Sequence, residues 1–135
     1  MNLKQEMIKI YETYEYDWMN YLIVDDLTYH HIKKEENGGE KTLDNGALLT
    51  HRAHNYLHFI ENYDKDIYSR INEILKNINS QLHKPNYRQT KKIDLLLLEF
   101  EIKYADKIIK GKKKLGKKKI KMATNIRKKE QLLKK

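Results

Sequence analysis

Residues 29–58 read YHHIKKEENGGEKTLDNGALLTHRAHNYLH, and five of the six histidines of the chain fall within them. His30 and His31 are adjacent at the end of a short run, Leu27–Ile32, whose Thr, Tyr and Ile favour extended backbone. Glu35–Glu40, written EENGGE, is a polar loop in which Asn37-Gly38-Gly39 take positive φ at little cost. A second short extended piece fits Ala47–Leu49. Thr50 then has the chemistry of an N-cap, and a helix to about Asn62 follows it. On that helix His54 and His58 stand four residues apart, one above the other on the same face, so both can hold one ion. At about 100° per residue, Ala53, Leu57 and Ile60 share the adjoining side, so the helix can bury one flank while its neighbour faces a metal.

Outside this unit the pattern is helical. Residues 3–22 place Leu3, Met7, Ile10, Tyr11, Tyr14, Trp18, Tyr21 and Leu22 at steps of three and four, which predicts a first helix ended by Asp25-Asp26. Asp64 is a cap for a third helix with Ile67, Tyr68, Ile71, Ile74, Leu75, Ile78 and Leu82 on one stripe. Pro85 marks a break. Thr90 is the expected cap of a fourth helix, with Ile93, Leu96, Leu97, Phe100 and Ile108 inward. The reading is a mainly α fold with a small β-hairpin inserted between helices: one domain over residues 1–109, its hairpin-and-helix core at about 27–62, and a separate tail over 110–135. Most of the ten tyrosines fall at core-facing helical positions, so they read as packing and not as base-stacking platforms.

Charged residues make up 35% of the chain and no apolar run approaches the roughly 20 residues that cross a bilayer, so no membrane partner is expected. The first residues, MNLKQEMIKIYETYEYDW, lack an uninterrupted apolar segment of the secretory kind, which makes the cytoplasm the expected compartment. Without cysteine there is no thiolate zinc site, and a metal must rest on His, Asp, Glu or Asn. The net charge of +9 is unevenly placed: residues 110–135 carry +12 and residues 1–109 carry −3. Such an asymmetry suits a polyanion-binding arm on a nearly neutral body.

The segment at about 27–61 resembles the HNH, or ββα-metal, nuclease family, and within it the branch with an all-histidine metal site found in nuclease colicins. An adjacent histidine pair on a first strand, a Gly-rich loop, an asparagine (Asn45), and a helix with two histidines four apart occur here in the family's order and at closely similar spacing. The resemblance implies one divalent ion, Zn, Ni, Mn or Mg, on His30, His54 and His58. It implies His31 as the general base that activates water, and Asn45 as the residue whose side chain or backbone orients this base. Many relatives carry a CxxC zinc knuckle around the helix; the corresponding positions here are Thr50 and Ala53, so packing must hold the fold instead.

These residue types suit phosphodiester cleavage. An ion held by neutral ligands keeps its charge for the phosphate and the leaving oxygen. An ordinary imidazole accepts a proton near neutral pH, which is worth roughly 10²–10⁴-fold in rate. Adjacent strand residues point to opposite faces, so His30 and His31 need a bend or a strand end to serve one site. Lys33, Lys34, His51 and Arg52 are candidate phosphate contacts, as are Lys112, Lys113, Lys114, Lys117, Lys118 and Lys119 of the tail. Each also reads as an ordinary solvated residue, and His83 beside Pro85 reads only so. The expected activity is hydrolysis of DNA, preferred over RNA by resemblance alone. An RNase with the same site and a non-catalytic nucleic-acid-binding protein with a structural zinc are the alternatives.

Deleting residues 111–135 removes 12 Lys/Arg and Glu130. Comparing full-length and truncated protein on duplex DNA between low and physiological salt should flatten the slope of log K against log salt by about 0.9 per lost phosphate contact. KM should rise while kcat changes little, because such contacts bind ground and transition states alike. An unchanged slope would show that these lysines do not touch nucleic acid.

Overall fold

A computed structural model of the chain describes residues 2–11, 17–19 and 27–109. Helix α1 (Leu3–Tyr11) is followed by strands β1 (Leu27–His31) and β2 (Gly46–Thr50) and helices α2 (His51–Tyr63), α3 (Lys65–Gln81) and α4 (Tyr87–Lys103). The fold is mainly helical with one small antiparallel hairpin. No helix among the described residues is long and apolar enough to cross a membrane.

The hairpin pairs Leu27 with Thr50 at one end and His31 with Gly46 at the other. Alternation puts Thr28 and His30 on one face and Leu27, Tyr29 and His31 on the other. The long loop between the strands is closed from within. Ile32 N donates to Asn45 O at 2.9 Å, and Asn45 Nδ2 donates to the carbonyls of Lys33 and Glu40, each at 3.0 Å. Gly39 is required there, because a Cβ would stand 1.8 Å from the Lys33 carbonyl oxygen.

Apolar periodicity builds the core as expected: Ala53, Leu57 and Ile60 of α2, Ile67, Ile71, Leu75 and Ile78 of α3, and Ile93, Leu97 and Phe100 of α4 are buried together. Asp64 caps α3 by accepting from Ile67 N at 3.0 Å, and its other oxygen takes Lys103 Nζ and Tyr104 OH, each at 3.0 Å. One carboxylate thus ties the α2–α3 corner to the end of α4.

Three expectations are corrected. The fourth helix starts earlier than Thr90: Asn86 and Gln89 form a reciprocal capping box, which satisfies two end N–H groups where Thr90 alone would satisfy one. Thr90 instead lies buried in the first turn, its hydroxyl donating to Tyr87 O at 3.0 Å. Leu82 leaves the apolar stripe, because it ends α3 in the left-handed conformation at φ 59° and is 64% exposed. The first helix does not run through Trp18. Asp17, Trp18 and Met19 are buried in a turn: Trp18 N donates to Leu48 O at 2.9 Å, and Asp17 accepts from Met19 N at 3.1 Å and from Thr50 Oγ1 at 3.0 Å. A tertiary partner for Asp17 outweighs the local helical period. Among the tyrosines, Tyr87 at 78% and Tyr63 at 42% exposure depart from the core-facing expectation. Tyr14, Tyr16, Tyr21, Leu22, Asp25-Asp26 and the basic tail over 110–135 lie outside the described residues.

Asp17→Ala should orphan the Thr50 and Met19 donors and cost about 3 kcal/mol, as for buried hydrogen bonds to a charged group. Urea denaturation followed by circular dichroism measures it, and a wild-type midpoint would remove Asp17 from the framework.

Candidate metal centre

Thr50 is both the last residue of β2 and the N-cap of α2, its side chain accepting from Ala53 N at 3.0 Å. Strand therefore passes into helix with no residue between them, and the first turns of α2 lie beside the Thr28–His30 face of β1. His30, His54 and His58 meet there. Their ring centroids stand 5.1 Å (His30–His54), 6.0 Å (His30–His58) and 4.8 Å (His54–His58) apart. One ring nitrogen from each lies within 4.8 Å of the others, and this is the one metal-competent group of three or more such side chains among the described residues.

The hydrogen bonds sort the six ring nitrogens. Thr28 Oγ1 donates to Leu49 O at 2.8 Å, so toward His54 Nδ1, at 3.1 Å, it acts as the acceptor. His54 thereby carries its proton on Nδ1 and keeps a lone pair on Nε2. His58 Nδ1 lies 3.5 Å from Glu61 Oε1, a carboxylate that can only accept, which leaves Nε2 of His58 unused in the same way. His30 is reversed. Its Nε2 donates to Asn72 Oδ1 at 2.9 Å, and its Nδ1 is buried with no hydrogen-bond partner among the described residues. A polar atom so placed costs about 1–3 kcal/mol, which an ion would recover. Each imidazole thus has one nitrogen oriented by the protein and one left as a donor to metal, the pattern expected of histidine ligands.

The electrostatics fit the same use. Burial lowers the His30 imidazole to about 4, against a raising contribution from its bond to Asn72, and charge on His54, His58 and His31 lowers it further. Burial also lowers His54 to about 4, with charge on His58, His51 and His31 adding to the effect. Both rings are neutral at neutral pH, with lone pairs available to an ion. Burial works to raise the Glu61 carboxyl, yet hydrogen bonds from Lys34, at 2.8 Å, and from His58 hold it below its ordinary value.

The remaining candidates divide. The ladder stays regular through His31, so the backbone bends only after it, at Ile32-Lys33. The His31 ring is half-buried, edge-on to Tyr29 at 4.9 Å on the face opposite His30, near enough for its charge to reach both His30 and His54. Asn45 does not use its amide on His31. Its Oδ1 accepts from Lys33 N at 2.8 Å and both amide protons go to Lys33 and Glu40, so it braces the backbone that leaves His31. Lys34 is committed to Glu61 and Glu36, whose hydrogen bonds, Glu61 first, raise its ammonium pKa. His51 is exposed at the first position of α2, Arg52 is half-buried and Lys33 is exposed. The lysines at 112–119 lie outside the described residues. An open groove of about 850 Å³ runs beside the centre, lined among others by Lys33, Lys34, Glu61, Lys65, Asn72 and Lys76.

Sequence reasoning missed Thr28, Glu61 and Asn72. Asn72 had a signal, since it falls, with Asn79, among the apolar residues of the buried side of α3. A comparison of the chain with protein-family models, curated proteins and solved structures finds no match.

The two depressed histidines make the metal-free protein acid-sensitive. Each is protonated in the unfolded chain below about pH 6.5 but in the folded chain only below about 4, so stability should be flat above pH 6.5 and fall between 6.5 and 4. Chelator-treated protein unfolded thermally across pH 4–8 tests this. A midpoint that does not fall below pH 6.5 would show that these imidazoles are not held neutral.

Proposed function

We propose that the chain is a metal-dependent nuclease of the HNH type that hydrolyses phosphodiester bonds, with DNA as substrate. The observation that carries this reading is the convergence of His30, His54 and His58 from a hairpin and the helix that follows it, each with one nitrogen oriented and one left for an ion. A divalent ion bound there supplies positive charge to the phosphate and to the leaving oxygen.

The residues of the chain do the rest. His54 and His58 are held by α2, and His30 is pinned from α3, so the ligand set is largely in place before an ion arrives. His31 is the general base that takes a proton from the attacking water: it stands on the ladder's opposite face as the last residue of β1, and the strand end there, with the bend at Ile32-Lys33, is what lets it serve the same site as the three ligands. Asn45 supports that base through the backbone at Ile32 and Lys33, not through a contact to its ring. Lys33 and the groove beside the centre receive the phosphate backbone. Lys34 serves chiefly to orient Glu61, and through it His58.

The test uses supercoiled plasmid and structured RNA with Mg²⁺, Mn²⁺, Ni²⁺ or Zn²⁺, on wild type, His31→Ala and His58→Ala. His31→Ala should keep zinc binding and lose cleavage by about 10²-fold or more, as for a general base. His58→Ala should lose zinc affinity. Zinc binding by wild type without cleavage of either nucleic acid would identify a structural zinc module, and cleavage of RNA alone would change the substrate.

A further inference from the structure

We infer that Asn72, on α3 and outside the hairpin and helix that supply the ligands, is a positioning residue that selects Nδ1 of His30 for the metal. The centre then binds through Nδ1 of His30 and through Nε2 of His54 and His58. This inference rests on the metal centre proposed above and adds a residue and a ligating atom to it.

Three observations carry it. Asn72 Oδ1 lies 2.9 Å from His30 Nε2, with both residues buried, at 8% and 1% exposure. An imidazole that donates from Nε2 has its lone pair on Nδ1, and that atom is the one left buried without a partner among the described residues, on a ring packed edge-on to those of His54 and His58. The position of Asn72 is itself fixed. Seven residues, or about two turns, along α3, buried Asn79 donates from Nδ2 to the carbonyls of Leu43, at 2.6 Å, and Gly46, at 2.8 Å. Helix α3 therefore grips the start of β2 with one asparagine and the metal-facing histidine of β1 with the other. A slide of α3 along the hairpin would break both contacts at once.

The chemistry of the amide matters as well. A neutral acceptor fixes the tautomer without adding negative charge to the centre, so a bound ion keeps its full charge toward phosphate. Aspartate at this position would hold the same proton and make His30 a more basic ligand.

The test uses the full chain, zinc as the only ligand, competition titration against a chelator, and long-range proton–nitrogen correlation spectra of the histidine rings. Asn72→Leu should weaken zinc binding by about 10–100-fold, as for loss of an outer partner of a metal-bound histidine, with unchanged far-ultraviolet circular dichroism. Asn72→Asp should restore affinity to wild type or better. The spectra of the zinc-loaded wild type, which need no variant to fold, should show His30 protonated on Nε2 and metallated on Nδ1, with the reverse for His54 and His58. Wild-type affinity in Asn72→Leu, or metallation of His30 through Nε2, overturns the role of Asn72 and leaves the three-histidine centre standing. Failure of zinc to perturb the three rings in wild type overturns the centre, and with it this inference.

Discussion

Thr50 ends β2 opposite Leu27, and its side chain opens α2 by accepting from Ala53 N while its hydroxyl donates to buried Asp17. Because one residue serves as strand end and helix cap, the angle between hairpin and helix is set by backbone geometry and not by a loop. Each loop residue would add about 1–2 kcal/mol of ordering entropy and some latitude in that angle. With the junction fixed, the Thr28–His30 face of β1 looks onto the turns of α2 that carry His54 and His58. The remaining helices pack so as to keep that angle: α3 against the hairpin loop, and α4, through Asp64, against the α2–α3 corner.

Three imidazoles in one place would ordinarily oppose folding, through burial of polar atoms and mutual repulsion when charged. The chain answers with acceptors from three different elements: Thr28 of β1, Glu61 of α2 and Asn72 of α3. Each removes one proton-bearing nitrogen from the problem. What is left is a cluster of lone pairs, which is unfavourable when nothing is bound and favourable toward a cation. The arrangement trades a part of the stability of the fold for three imidazoles whose tautomers are decided in advance.

Asparagine recurs where the chain needs a clamp. Asn45 closes the hairpin loop on itself, Asn79 fastens that loop to α3, and Asn72 holds His30. In each case the amide provides donors and an acceptor on one short, neutral side chain. A charged residue at the buried positions would need a counter-charge, and beside the imidazoles it would change the net charge of the cluster.

How much of this was legible in the sequence follows from the range of the interactions. The i,i+4 pair His54 and His58, the caps at Thr50 and Asp64 and the apolar stripe of α2 are local, because a helix repeats every 3.6 residues and a cap acts within one turn. The hairpin was legible from the Thr, Tyr and Ile of its first strand, its glycines and its histidine pair. Thr90 and Leu82 were misjudged where two local devices compete: the Asn86–Gln89 box against a threonine, and a left-handed helix end against one more apolar repeat. The course of Asp17–Met19 was decided by a hydrogen bond to Thr50, 33 residues away, and the tautomer of His30 by Asn72, 42 residues away. The sequence by itself determined which side chains are able to bind a metal and which helical face carries two of them. Tertiary structure alone decided which nitrogen each ring offers, because that choice depends on the partner that meets each ring across the packed interior.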